Sequence, residues 1–372
     1  MPIAPSEQNQ GLRALRGLAA LLVFFQHIIW QANLISPGPV DLLYAFNLGG
    51  IGVLCFFALS AFLISAKASD PPLRFVVERL RRVVPGFWVA LLLAALLDYV
   101  RIGTNGLSWQ LFAFLPLGDV PSVSVPYWTL YYEVLLYALI FVVARVSVRL
   151  VGPFIVVWAV VAWVWQDRPY GNGHYLFPTW YHMAFPVFAG FFGVGVLVSW
   201  RSRWPVAPER RQWMLLMNLA LAMVCFATPG LTKMAWAHEL FYARPYILLP
   251  DLLRPDIGML YLLLGTAFAL RAAVLWRATG WGGRMLGMFG DLSYGIYLIH
   301  IAVMFIGGWL IARTGIAMSY ATAAVVLTLF ALPLSMLFGW WEFRLQQWLK
   351  QMQRLWRSRR QPSALEMGQP AM

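Results

Sequence analysis

Long runs of apolar residues, broken by short polar and basic stretches, dominate the chain from its first turn to near its end. Many reach the ~17–20 residues that a helix needs to cross a bilayer. The pattern predicts about ten transmembrane helices, over 12–34, 46–66, 84–101, 127–144, 150–166, 183–200, 213–229, 256–275, 287–311 and 318–341. The fold class is therefore all-α, a polytopic integral membrane protein. Two stretches stand apart. The apolar piece at 107–117 is too short to span and reads as re-entrant or interfacial. Residues 235–256 mix aromatics, proline and charges and read as an ordered outer loop. No internal repeat and no low-complexity stretch is visible. The organisation is a membrane-embedded domain over 1–345 and a basic cytoplasmic tail over 346–372 that frays after Lys350.

Charge sets the orientation. The chain carries 28 Lys and Arg against 15 Asp and Glu, for a net charge of +13. Such a balance also suits a nucleic-acid partner, but membrane proteins gather basic residues in their cytoplasmic segments. With the N-terminus in the cytoplasm, the inner segments hold 22 of the 28 basic residues and the outer ones 6. The reverse topology inverts that ratio, so both termini are placed in the cytoplasm. The first span lacks a small-residue cleavage site and is expected to stay as a helix. Composition narrows the class further. Of 372 residues, 61% are hydrophobic and 12% charged, with mean hydropathy +0.68. These values exclude a disordered chain, a nucleic-acid module and a simple soluble enzyme. Nineteen Trp and fifteen Tyr suit rings anchored at the membrane surface. Cys55 and Cys225 lie in apolar runs and make neither a disulfide framework nor a metal site, and the five histidines lack ligand spacing.

Ionisable residues inside spans cost ~2.5–3.5 kcal/mol or more at mid-membrane, so each is a functional candidate. Arg16 and His27 of the first helix are 11 residues apart. That is about three turns and ~16 Å of rise, which puts both on one stripe. A long, thin, anionic cofactor suits this geometry, with phosphates on Arg16 at the inner mouth and a reactive end at His27. An imidazole at that depth suits a general base. The alternative is a snorkelling arginine plus a structural histidine. After the second span, Arg79, Arg81 and Arg82 stand within four residues, a forked-donor set for phosphate or an ordinary positive-inside loop. Glu133, one to two turns into the fourth span, either holds His27 in one tautomer, binds an incoming hydroxyl or makes a structural bond. Trp128 beside it reads as a sugar-stacking ring or as interface aromatics. In the ninth span Tyr294, Tyr297 and His300 recur at threes and share a face. Gly290 and Gly295 suit close helix approach, and Ser293 suits polar packing. Asp291 falls near the inner interface. Glu342 reads as interfacial, and His174, His182 and His238 as solvated.

With these motifs in this order, the chain resembles the acyltransferase-3 family of integral membrane acyltransferases. Arg16 and His27 in LRALRGLAALLVFFQH match the family's first helix, its most specific mark. GVLCFFALSAFLI is similar to the second helix, with Ala61 where Gly is usual. FVVERLRRVVP is similar to the arginine motif: Arg79, Arg82 and Pro85 match, and Glu78 stands where the family has its first arginine. WTLYYE and GDLSYGIYLIH are similar to the tryptophan–glutamate and late tyrosine–histidine motifs, the former in the form associated with exopolysaccharide acetylation. No further hydrolase-like domain is expected after the tenth span.

The resemblance implies acyl transfer, usually acetyl, from cytoplasmic acyl-CoA to a hydroxyl of a surface glycan, O-antigen or lipid-linked saccharide at a bacterial inner membrane. It implies that Arg16, Arg79 and Arg82 hold the CoA phosphates. His27 then deprotonates the acceptor or carries the acyl group, and Glu133 orients His27 or the acceptor. Trp128, Ser293, Tyr294, Tyr297 and His300 line an acceptor site or pocket. Acetyl-CoA is a co-substrate; no tightly bound cofactor, no metal and no nucleic acid is expected, and a homo-oligomer stays open. Two readings from other classes compete, a proton-coupled transporter and a non-catalytic partner of glycan export. Against a carrier, no paired halves with broken helices are visible.

Overall fold

The computed structural model describes residues 5–38, 47–65, 71–104, 106–114, 126, 128–165, 186, 188–232, 257–277 and 280–360. Among these, every regular element is helical: α1 (Pro5–Ile35), α2 (Leu48–Ser65), α3 (Pro72–Ile102), α4 (Trp109–Phe112), α5 (Trp128–Val146), α6 (Val151–Trp165), α7 (Ala189–Ser202), α8 (Pro208–Thr232), α9 (Ile257–Leu275), α10 (Trp281–Thr314) and α11 (Tyr320–Arg360). Seven of them, α1, α2, α3, α5, α8, α10 and α11, are long and apolar enough to cross a membrane. The spans read at 150–166 and 256–275 correspond to the shorter apolar helices α6 and α9. The span read at 183–200 corresponds to α7, which has 14 residues. The outer loop read at 235–256, and residues 115–117 of the short apolar piece that contains α4, lie outside the described residues.

Several helices run past the apolar windows that announce them. The arginine motif FVVERLRRVVP reads as a loop, but it forms the first turns of α3. Pro71 and Pro72 start that helix where a missing N–H costs nothing, and Arg, Leu and Glu propagate it well. Its C-terminus closes on Gly103 at φ 75°, a left-handed residue suited to glycine. The last helix likewise continues through Arg360.

The bundle is organised around α1 and α10. Contacts pair Arg13 with Asp291, His27 with His300 and Gln31 with Gly308, so the two helices run parallel along their length. Their backbones touch. A Cβ on Gly17 would be driven into the carbonyl oxygen of Leu286, and one on Gly290 into that of Arg13. Small residues allow such contact where lipid supplies no hydrophobic drive between helices. The same logic brings α11 antiparallel onto α10, where Gly295 faces Gly339 with room for a Cβ on neither. Helices α2, α3 and α5 complete the inner ring, and Phe24, Phe57, Phe87, Leu136, Phe192 and Ile296 fill the main core.

This seam yields a paired prediction. Gly290→Ala should lower the melting temperature of the detergent-solubilised protein, because overpacking costs about 1–3 kcal/mol. Gly287→Ala, one turn earlier, meets no atom within 4 Å. It should hold or raise the melting temperature, since Gly costs about 1 kcal/mol against Ala in a helix. A thermal-unfolding assay on both variants checks the pair.

Candidate active site

One cavity opens between α1, α2, α3, α5 and α10, with about 790 Å³ of empty space counting its mouth. Arg16 of α1 and Arg79 and Arg82 of α3 line it. Because the motif is helical, Arg79 and Arg82 stand three apart and share a face, whereas Arg81 turns aside to the side chain of Gln353 on α11. Arg79 lies over the ring of Phe75, 5.2 Å from its centroid. Glu78 faces away and is bonded by Arg74 Nε at 3.1 Å, so the residue that departs from the family pattern does not oppose the cationic end. No carboxylate comes within ion-pair distance of Arg16, Arg79 or Arg82 among the described residues.

Glu342 changes the reading made from its position after the last span. Helix α11 continues past it and packs it inside, 3% exposed. It lies against Gly86, whose missing side chain makes room for it, and the charges of Arg16 and Arg82 act on it. The missed signal was the unbroken helical pattern beyond 341, which keeps residue 342 on a buried face. Close by, Gln346 Nε2 donates to the Arg82 carbonyl at 2.9 Å and ties α11 to α3.

Polar groups carry the cavity inward. Ser60 Oγ donates to Glu133 Oε1 at 3.3 Å, and the Tyr137 hydroxyl donates to the same oxygen. Glu133 is thus held by Ser60 and Tyr137, and it does not hold the imidazole of His27. Tyr137, one turn after Glu133, and Ser60 in the second helix are site residues that sequence reasoning missed; only the i,i+4 spacing hinted at the tyrosine. Tyr294 donates to the Val83 carbonyl at 2.7 Å. Tyr297 and Thr129 share a 2.7 Å hydroxyl bond at the inner end. Ser293 lines the wall, but its hydroxyl donates to the carbonyl of Gly290 on its own helix.

The two intramembrane histidines meet one turn beyond that end. The ring of His300 lies 5.9 Å from that of Tyr297 and 4.9 Å from that of His27. His300 Nε2 is 3.3 Å from His27 Nδ1, and His27 Nδ1 is 2.9 Å from the carbonyl of Val23. His300 is fully buried, whereas His27 is half-buried. Neither lines the cavity, so of the two α1 residues only Arg16 faces that space. Trp128 also stands outside the lining and packs on Phe188 at 5.4 Å. Asp291 pairs with Arg13 in a two-point ion pair across α1 and α10. His174, His182 and His238 lie outside the described residues. Among the described residues, no three His, Cys, Asp or Glu side chains converge to hold a metal ion.

The chain can be set beside known proteins. A family model described as an acyltransferase domain, acyltransferase-3, matches residues 9–340. Over 107 residues the chain is 35% identical to the exopolysaccharide production protein ExoZ of Rhizobium meliloti (strain 1021), covering 25% of this chain and 33% of that protein. The chain thus spans about a third of the length of the curated relative it matches. No solved structure matches it. With the family's domain matched across nearly its whole length, the chain belongs to the acyltransferase-3 family.

Proposed function

We propose that this protein is a membrane-bound O-acyltransferase that moves an acyl group, acetyl in the first instance, from acyl-CoA to a hydroxyl of an exopolysaccharide or its lipid-linked precursor. The observation that carries this reading is the convergence of Arg16, Arg79 and Arg82 on one cavity without a carboxylate in ion-pair reach. Unpaired cations in apolar surroundings are costly, and an anion with several phosphate oxygens completes them through charge-assisted, forked bonds. CoA carries such phosphates at one end of a long flexible arm and its thioester at the other. The cavity has the matching order, cations at one end and the hydroxyl–imidazole cluster beyond the other. In this reading the arginine end faces the cytoplasm, where acyl-CoA is found, at a bacterial inner membrane; the excess of basic residues assigned to the inner face supports that orientation. The name of the exopolysaccharide relative supports a glycan acceptor.

In the chemistry we infer, His27 Nε2 takes the proton of the acceptor hydroxyl as its oxygen attacks the thioester carbonyl carbon. The carbon–sulfur bond breaks, and the departing thiolate takes the proton back from the imidazolium. An ester and free CoA thiol result. Glu133, positioned by Ser60 and Tyr137, faces the path of the acyl arm and orients the incoming groups.

Two outcomes follow. His27→Ala should reduce transfer of label from acetyl-CoA to glycan by at least ~10²-fold, the usual contribution of a general base, while membrane insertion is unchanged. Retained transfer would reject the base. Arg79→Ala with Arg82→Ala should raise KM for acetyl-CoA about tenfold or more with little change in kcat, since each charged hydrogen bond is worth ~1.5–3 kcal/mol. An unchanged KM in radiolabelled acetyl-CoA assays on membranes would move the CoA site elsewhere. Counterflow of substrate without labelled product would speak for a carrier. Mass spectrometry of surface polysaccharide from a deletion strain identifies the acyl group.

A further inference from the structure

We propose that His300 is a positioning residue for His27: its Nε2 accepts the Nδ1–H of His27, and so presents His27 Nε2 as the basic atom. The proposal rests on the reading of His27 as general base.

The argument is one of hydrogen counting. Nδ1 of His300 lies 2.8 Å from the Tyr297 carbonyl and 3.2 Å from the Ile296 carbonyl. Carbonyl oxygens only accept, so Nδ1 carries the hydrogen and Nε2 keeps a lone pair. That lone pair stands 3.3 Å from Nδ1 of His27, which is also 2.9 Å from the Val23 carbonyl. Two acceptors around one nitrogen make it the donor, shared between them. With both rings neutral, every hydrogen is then accounted for, and each sits on Nδ1. His27 Nε2 is the one unprotonated nitrogen of the pair without a hydrogen-bond partner among the described residues. The two ring planes stand 70° apart with their centroids 4.9 Å apart.

The consequence appears when His27 takes a proton. Nδ1–H then belongs to an imidazolium, and its bonds to Val23 and His300 become charge-assisted. In serine hydrolases a buried carboxylate fills this place and fixes both tautomer and ring orientation. Here a neutral imidazole does so without bringing a negative charge into an apolar core. The carboxylate nearest in sequence logic, Glu133, is committed to Ser60 and Tyr137. The support behind His300 is rigid. The residue is fully buried, its ring is held by two carbonyls of its own helix, and that helix is packed at backbone contact on α1 and α11.

Two variants and a spectrum test the pair in the full-length, detergent-solubilised protein. His300→Phe keeps a ring but removes the acceptor. It should lower kcat about ten- to hundredfold, the effect of losing a hydrogen bond to a charged group, with KM for acetyl-CoA unchanged. His300→Gln can place Oε1 near the position of Nε2 and should recover kcat to within a few-fold of wild type. Nitrogen NMR of the ¹⁵N-histidine-labelled chain should show His27 and His300 as neutral Nδ1–H tautomers, assigned by loss of one signal in each variant. Wild-type kcat in His300→Phe, a glutamine variant no better than phenylalanine, or a hydrogen on His300 Nε2 would each overturn the proposal. Transfer that survives His27→Ala would overturn the base reading instead, and the nitrogen spectrum, which needs no turnover, would still decide the bond.

Discussion

Glycine at 17 and 290 lets α1 and α10 run parallel with their backbones in contact, and the chemistry of the molecule is strung along that seam. At one end Arg13 and Asp291 clamp the helices; fourteen residues along α1 from Arg13, His27 meets His300. A side chain at either glycine would push the helices apart, and a contact of 3.3 Å between two imidazoles does not survive a shift of an ångström. In a bilayer, lipid tails are as apolar as leucine, so packing of this closeness is the main force available to hold such a pair. The same device recurs at Gly295 and Gly339, which brings Glu342 of α11 against Gly86 and close to the arginines.

Charge placement follows from the cost of burial. Each ionisable group in the apolar interior has a distinct solution. Asp98, 2% exposed, is bonded by Arg101 at 3.1 Å one turn on in the same helix. Glu133 takes two hydroxyl donors. The histidines lie within hydrogen-bond distance of each other and of backbone carbonyls. Glu342 sits in the field of Arg16 and Arg82 without a direct ion pair to either. The arginines that line the cavity are the exception, since their charges are only partly compensated from within the protein.

The legibility of the site varied with the range of the interaction. Arg16 and Glu133 stood out because charge inside an apolar run is conspicuous in one dimension, and Arg79 and Arg82 because three arginines fall within four residues. The i,i+3 relation of Arg79 and Arg82 became meaningful only because α3 starts at Pro72 and makes the motif helical; hydropathy alone begins the span twelve residues later, at 84. The burial of Glu342 is hidden for the same reason at the other end of the chain, where a hydropathy window stops but the helix does not. Ser60 and Tyr137 carry no conspicuous chemistry, and what makes them site residues is only that Glu133 lies between them.

By itself the sequence determined the all-helical class, the apolar segments and the family, because each depends on composition or on local spacing. It also specified the glycines of α1 and α10, whose lack of a side chain is written in the chain. Only the tertiary structure decided which polar groups meet: that Glu133 serves Ser60 and Tyr137 instead of His27, that His27 turns to His300, and that Glu342 joins the arginines. Those pairings join helices up to hundreds of residues apart. They depend on rotation and depth set by backbone contact, which no periodicity within a single helix encodes.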